Sequence, residues 1–279
     1  MTLSFSPRTL AEAHAALACG AVKVAGATDL LVVDHAHGRT HEAVVDLLGV
    51  RELHGIRLSE SGLEIGACAT FTEIRRSDLV TRHASLLQDA AATIGAAQIQ
   101  NRATIGGNMA NASPAGDSLP ALLALSATIV ISGPRGRRRV PYDAFHAGYR
   151  KTVLAEDELI EFVVIPVPTP SVQMFRKVGT REAQAISKVV VGFAANRRGD
   201  TLTDVRLALG SVAATPVRLP SVEALIASEP LSASLSDRAA RLVEESITPI
   251  DDIRSTAEYR RHVAGQVVRR LLLHLMETK

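Results

Sequence analysis

The chain has 279 residues, 47% of them hydrophobic, with no Trp and only 3% aromatics, so its core is built from Ala, Val, Leu and Ile and its length suits two domains. Lys plus Arg (31) nearly balance Asp plus Glu (29), and no basic stripe with interleaved aromatics occurs, which leaves no electrostatic case for nucleic-acid binding. Two cysteines, Cys19 and Cys68, can neither build a zinc site nor ligate an iron–sulfur cluster by themselves.

Neither a basic region followed by a long apolar stretch at the N-terminus nor a run of membrane-span length is present, so a cytoplasmic location is expected. Thr9-Leu10-Ala11-Glu12 has capping-box form and predicts a helix over residues 9–19, closed by Gly20. Val22-Lys23-Val24 reads as a strand. It ends in Ala25-Gly26-Ala27-Thr28-Asp29-Leu30, small residues where a strand hands over to a helix and a backbone can approach a ligand closely. His35, His37 and His41, around Gly38-Arg39 and away from any cysteine, read as a polar loop rather than a metal site.

Residues 44–47 and the alternating Leu63, Ile65 and Ala67 are expected strands, with turns at Gly55 and Gly62. Thr70-Phe71-Thr72-Glu73 is a second capping box, and helices are predicted over 72–78, 85–94 and 118–125, then a strand over 128–131. Arg135, Arg137, Arg138 and Arg139, beside Gly133-Pro134 and Gly136, read as a solvated hairpin tip. The strand predicted at 159–165 is stopped by Pro166, and Pro166-Val167-Pro168-Thr169-Pro170 marks a domain boundary, separating 1–170 from 171–279. Beyond it, residues 174–178, 187–195 and 203–212 predict three strands, and from 221 the chain is helical. In the last helix, capped at Ser255-Thr256-Ala257-Glu258, the residues Tyr259, Val263, Val267 and Leu271 form a stripe opposite Arg260, Arg261 and Arg269. An α+β fold follows.

The stretch from Ala103 to Ser118 carries the most chemistry, being dense in Gly, Ala, Ser and Asn yet pinned by apolar Ile105 and Met109. Gly106-Gly107 alone could be a tight turn between strand and helix. With Asn108, Asn111 and Ser113 as neutral donors beside it, and with the small-residue segment at 25–30, the pair reads as half of a backbone cradle for a pyrophosphate. No Gly-x-Gly-x-x-Gly and no Lys-bearing nucleotide loop is present. Asp117 suits ribose hydroxyls or an adenine amino group, or equally an N-cap. The cations between Phe175 and Lys188 are surface charges or, near the pyrimidine edge of a flavin, stabilisers of the reduced ring. No nucleophile elbow, His-Glu-x-x-His or Cys-x-x-Cys occurs.

Three of these segments together resemble the medium, FAD-binding subunits of xanthine dehydrogenase and aerobic carbon monoxide dehydrogenase. The family's Ala-Gly-Gly-Thr-Asp-Leu is matched by Ala25 through Leu30, with Ala27 in place of the second glycine. Its Thr-Ile-Gly-Gly-Asn, then Ala-Ser-Pro and an Asp, is matched at 104–108, 112–114 and 117, and Arg181 through Ser187 and Tyr259-Arg260-Arg261-His262 resemble its C-terminal domain. The resemblance implies a vanillyl-alcohol-oxidase-type FAD-binding fold with subdomains of about 1–55 and 56–170, then a flavin-side domain with a three-stranded antiparallel sheet and helices. It implies that Val24, Ala25, Gly26, Ala27, Thr28, Asp29 and Leu30, with Thr104, Gly106, Gly107 and Asn108, hold the pyrophosphate and ribityl chain of FAD. Asn111 and Asp117 would reach the ribityl and adenosine parts, Ile94 and Leu154 would form apolar walls, and Lys177 would approach the isoalloxazine ring. It further implies an iron–sulfur subunit and a large molybdenum subunit as partners, in a dimer of heterotrimers, with a quinone or NAD as electron acceptor. A fold-retaining binding or assembly module without flavin, or a stand-alone flavin oxidase, are the alternatives.

Overall fold

The computed structural model describes residues 2–278, and these form an α+β structure on three main sheets. The first contains β1 (Leu3–Phe5), β2 (Val22–Val24) and β3 (Ala43–Asp46), parallel in the order β1-β3-β2. Parallel neighbours need crossovers, here α1 (Leu10–Ala18) and α2 (Leu30–His37). Thr9 caps α1 by accepting from Glu12 N, and Ala13, Ala16 and Leu17 bury its inner face.

The second sheet is antiparallel in the order β4-β5-β10-β6-β7, from β4 (Ile56–Ser59), β5 (Gly62–Gly66), β6 (Thr128–Gly133) and β7 (Gly136–Pro141). Between β6–β7 and the central strand β10 (Leu159–Ile165), the chain makes a small hairpin of β8 (His146–Gly148) and β9 (Lys151–Thr152). Before β6 come α3 (Phe71–Arg76), α4 (Asp78–His83), α5 (Ser85–Ala92), α6 (Ala97–Gln100), α7 (Ile105–Asn111) and α8 (Ser118–Ala124). The helix predicted at 72–78 is α3, ended at Ser77, whose hydroxyl caps an additional helix, α4, that the sequence reading does not include. The β6–β7 turn is the expected hairpin tip with Arg135, Arg137 and Arg139 exposed, and in addition Arg137 pairs with Glu161 and Arg138 with Glu158, both acids being buried.

The third sheet, β11 (Val172–Val178), β12 (Val189–Arg198), β13 (Thr201–Gly210) and β14 (Val217–Arg218), is antiparallel in sequence order. It has four strands rather than three, since the two-residue β14 is too short to leave a periodic signal. Both faces are buried, as period-two alternation allows. Val190 and Ala194 join the core around α5 and α8, while Val189, Val191 and Phe193 pack against α9 (Pro220–Ala227), α10 (Ala233–Ser246) and α11 (Ala257–Glu277).

The inward face of α11 also departs from expectation. Tyr259 is exposed and Arg260 is 4% exposed. Its guanidinium donates to Lys188 O (3.0 Å), Ser211 O (2.9 Å) and Asp252 Oδ1 (2.8 Å), and a buried cation with those acceptors cannot be read from hydropathy.

Candidate functional site

A cleft of about 960 Å³ is lined by residues of the first and second sheets and their connections. That lies at the upper end of the range for small-molecule sites, roughly 300–1,000 Å³, and suits a dinucleotide. One wall is the turn from β2 into α2. At Gly26 an added Cβ would lie 2.0 Å from the carbonyl oxygen of Arg102, so glycine is what lets this wall meet the segment leading to α7. Ala27 sits at φ +60°, so alanine occupies a left-handed position at a cost of about 1 kcal/mol.

Asp29 is the N-cap residue of α2, but its side chain caps nothing. Among the described residues no protein acceptor takes the N–H groups of Ala27, Thr28 or Asp29. Open amides at the start of a helix are donors for an anion, reinforced by the helix dipole. This is the feature of the cleft that fits a diphosphate.

The second predicted segment is helical rather than looped. Thr104 caps α7, its hydroxyl accepting from Gly107 N at 3.1 Å, while Ile105 N donates to Ala69 O (3.0 Å), Gly106 N to Ala67 O (2.8 Å) and Asn108 N to Thr104 O (3.0 Å). The first-turn amides are therefore held by protein acceptors. Gly106 serves packing, since a Cβ there would lie 2.7 Å from both Cβ and O of Ala67. Gly107 is exposed, and a Cβ there would meet only Thr104 Oγ1, at 3.0 Å. Room for a ligand is thus left at Gly107, next to Asn108, whose Oδ1 accepts from Ser118 Oγ at 2.7 Å.

The opposite wall comes from residues 150–160, with Leu154 and Ile160 as apolar lining. Lys23 Nζ donates to Ala155 O (3.2 Å), Glu156 O (2.9 Å) and Glu158 O (3.0 Å), tying β2 to this wall. Burial lowers its pKa, against the neighbouring carboxylates of Glu156, Asp157 and Glu158. At the rim, Arg150 Nη1 lies 3.5 Å from Asn111 Oδ1 and 3.7 Å from Asp29 Oδ2. Lys23, Arg150 and Ile160 were missed by sequence reasoning, because nothing in the spacing links them to residues 25–30 and 104–111. Cys68 lies in the lining, its thiol pushed up to about 12 by burial, and is chemically quiet there.

Of the expected site residues, Ala25 through Leu30, Thr104, Gly106, Gly107, Asn108, Asn111 and Leu154 line this cleft, whereas Val24, Ile94, Asp117 and Lys177 do not. Ile94 packs against the core of the second sheet. Asp117 and Lys177 meet each other as a buried ion pair at 2.6 Å. Thr93 and Ser187 hydroxyls also donate to Asp117, and Lys177 donates to Thr93 O at 3.0 Å. Burial raises the pKa of Asp117, opposed by the Lys177 charge and by these hydrogen bonds. Although Asp117 precedes α8, its side chain makes no capping bond.

His35 and His37 lie in the last turn of α2 rather than in a loop, and His41 bonds to Asp34 at 2.8 Å. Among the described residues no group of three or more His, Cys, Asp or Glu side chains is placed to hold a metal ion, and no helix is long and apolar enough to cross a membrane.

Residues 2–168 match the family described as the FAD binding domain in molybdopterin dehydrogenase, and residues 174–275 match the CO dehydrogenase flavoprotein C-terminal domain. The xanthine dehydrogenase FAD-binding subunit of Escherichia coli O157:H7 is 35% identical over 95% of this chain and 92% of its own. The carbon monoxide dehydrogenase medium chain of Hydrogenophaga pseudoflava is 30% identical over 96% and 94%. Among solved structures, carbon monoxide dehydrogenase from Hydrogenophaga pseudoflava superposes with a TM-score of 0.91 at 30% identity, covering 96% of this chain and 95% of that one.

Proposed function

The chain belongs to the family of FAD-binding subunits of molybdopterin-dependent dehydrogenases, and on that premise we propose that it carries electrons from the iron–sulfur clusters of a partner subunit to an external acceptor, a quinone or NAD. It is an oxidoreductase subunit and FAD is its cofactor. When bound, FAD supplies the coupling between one-electron and two-electron chemistry. The observation that carries the reading is the row of open amides at Ala27, Thr28 and Asp29 in a cleft large enough for a dinucleotide.

In this reading those amides hold the diphosphate, Gly107 and Asn108 give room and a polar contact to the ribityl chain, and Asn111 faces the adenosine side. Leu154 supplies an apolar wall. Lys177, paired with Asp117 outside this cleft, is the cation proposed for the isoalloxazine end. Because the chain has only two cysteines, the clusters belong to another subunit. A large molybdenum subunit completes the assembly, proposed as a dimer of heterotrimers in the cytoplasm.

Purification of the native assembly followed by anaerobic titration with dithionite tests this. The expected result is copurification with iron–sulfur and molybdenum subunits, and loss of flavin absorbance as the clusters fill. A colourless chain that copurifies with neither subunit would overturn it in favour of a flavin-free module.

A further inference from the structure

The charges lining the cleft do not by themselves suit a dianionic diphosphate. Two cations, Lys23 and Arg150, face three carboxylates, Asp29, Glu156 and Asp157. Lys23 has nothing left to offer, because an ammonium has three donors and all three are engaged by carbonyl oxygens of residues 155, 156 and 158. Arg150 differs. A guanidinium has five donors, and its contacts in the structure are long, 3.5 Å to Asn111 and 3.7 Å to Asp29.

The position of Arg150 is also special. It is in the turn between β8 and β9 with φ +51°, a left-handed conformation, and its side chain is 41% exposed at the cleft rim. Its two neighbours come from the two small-residue segments of the facing wall, Asp29 at the start of α2 and Asn111 at the end of α7. The hairpin tip therefore reaches across the cleft rim from the wall of residues 150–160 to that facing wall.

We propose that Arg150 is the counter-charge for the diphosphate of the bound dinucleotide and, from the β8–β9 tip, closes the cleft mouth over it. The inference rests on the FAD-binding reading above. Binding exchanges two long, partly solvated contacts for charge-assisted hydrogen bonds to phosphate oxygens, which are shorter and stronger. Lys151, the next residue, is exposed and does not line the cleft, so it provides a control of equal charge.

In the full-length protein freed of flavin, FAD is titrated into wild type, Arg150→Gln, Arg150→Lys and Lys151→Gln across a range of salt concentrations, with thermal unfolding recorded for each. Loss of charge-assisted bonds in Arg150→Gln is expected to raise the Kd for FAD about tenfold to a hundredfold and flatten its salt dependence. Arg150→Lys should recover part of the affinity, and Lys151→Gln should match wild type. Equal FAD affinity in wild type and a normally folded Arg150→Gln overturns the assignment of Arg150 while leaving the cofactor reading intact. An equal loss in Lys151→Gln also overturns it, by showing a general charge effect. Failure of wild type itself to bind FAD would instead overturn the underlying reading.

Discussion

Lys177 Nζ donates to Asp117 Oδ2 at 2.6 Å, and both side chains are buried where β11 passes the start of α8. A pair of this kind is expensive to break from one side, because the remaining charge stays out of water. Lys177→Met should destabilise the protein by about 3–5 kcal/mol in denaturant unfolding. The double variant Lys177→Met with Asp117→Asn should recover most of that loss, and an additive result would contradict the coupling.

The two small residues of the first wall make opposite forecasts. At Gly26 a Cβ would meet backbone, so Gly26→Ala must part the two walls, at a cost of about 1–3 kcal/mol, and weaken FAD retention. At Ala27 the left-handed φ is already strained, so Ala27→Gly should stabilise by roughly 0.5–1 kcal/mol once the added freedom of the unfolded chain is counted. Thermal unfolding of both variants checks the signs.

The adjacent glycines of α7 separate packing from binding. Gly106→Ala collides with Ala67 and should lower Tm with or without FAD, whereas Gly107→Val faces the open side and should leave the unliganded fold in place while abolishing FAD retention. Full FAD retention by Gly107→Val would mean that the ligand does not approach α7 there.

How much of this was legible in the sequence depended on whether the signal was local. Thr9 and Glu12 announced α1, and the apolar run of β10 ended at Pro166 as its composition requires. The segment at 104–111 is legible as important from its composition but not as a helix: its two glycines argue for a turn, and Ala67 and Ala69, which accept from its first amides, lie far away in sequence. Arg150, Lys23, and the turning inward of Arg260 and Lys177 all depend on partners that only the fold brings near, and no periodicity records them.

The pH dependence should report the second-sheet wall of the cleft. Hydrogen bonds from Arg138 hold the Glu158 carboxyl at about 2, below its ordinary 4.5, and Glu158 also accepts from Ala155 N in the segment that Lys23 grips. Above about pH 4.5 the carboxylate is ionised in folded and unfolded chains, and the stabilisation is fully present. As pH falls, the unfolded chain takes up its proton first, so stability is lost down to about pH 2. Glu158→Gln should have a lower Tm than wild type near neutrality, and the two should converge in acid. Parallel curves would show that Arg138 does not hold this carboxyl.

The most direct measurement is the flavin content of the full-length protein after incubation with excess FAD and removal of the unbound fraction, with a peptide-backbone probe at residues 27–29. The account predicts about one FAD per chain, held in the dinucleotide-sized cleft between the first two sheets. It also predicts that amide hydrogen exchange at Ala27, Thr28 and Asp29, whose N–H groups have no protein acceptor among the described residues, slows on binding. A protein that retains no flavin, or that retains it with unchanged exchange at those three amides, would contradict it.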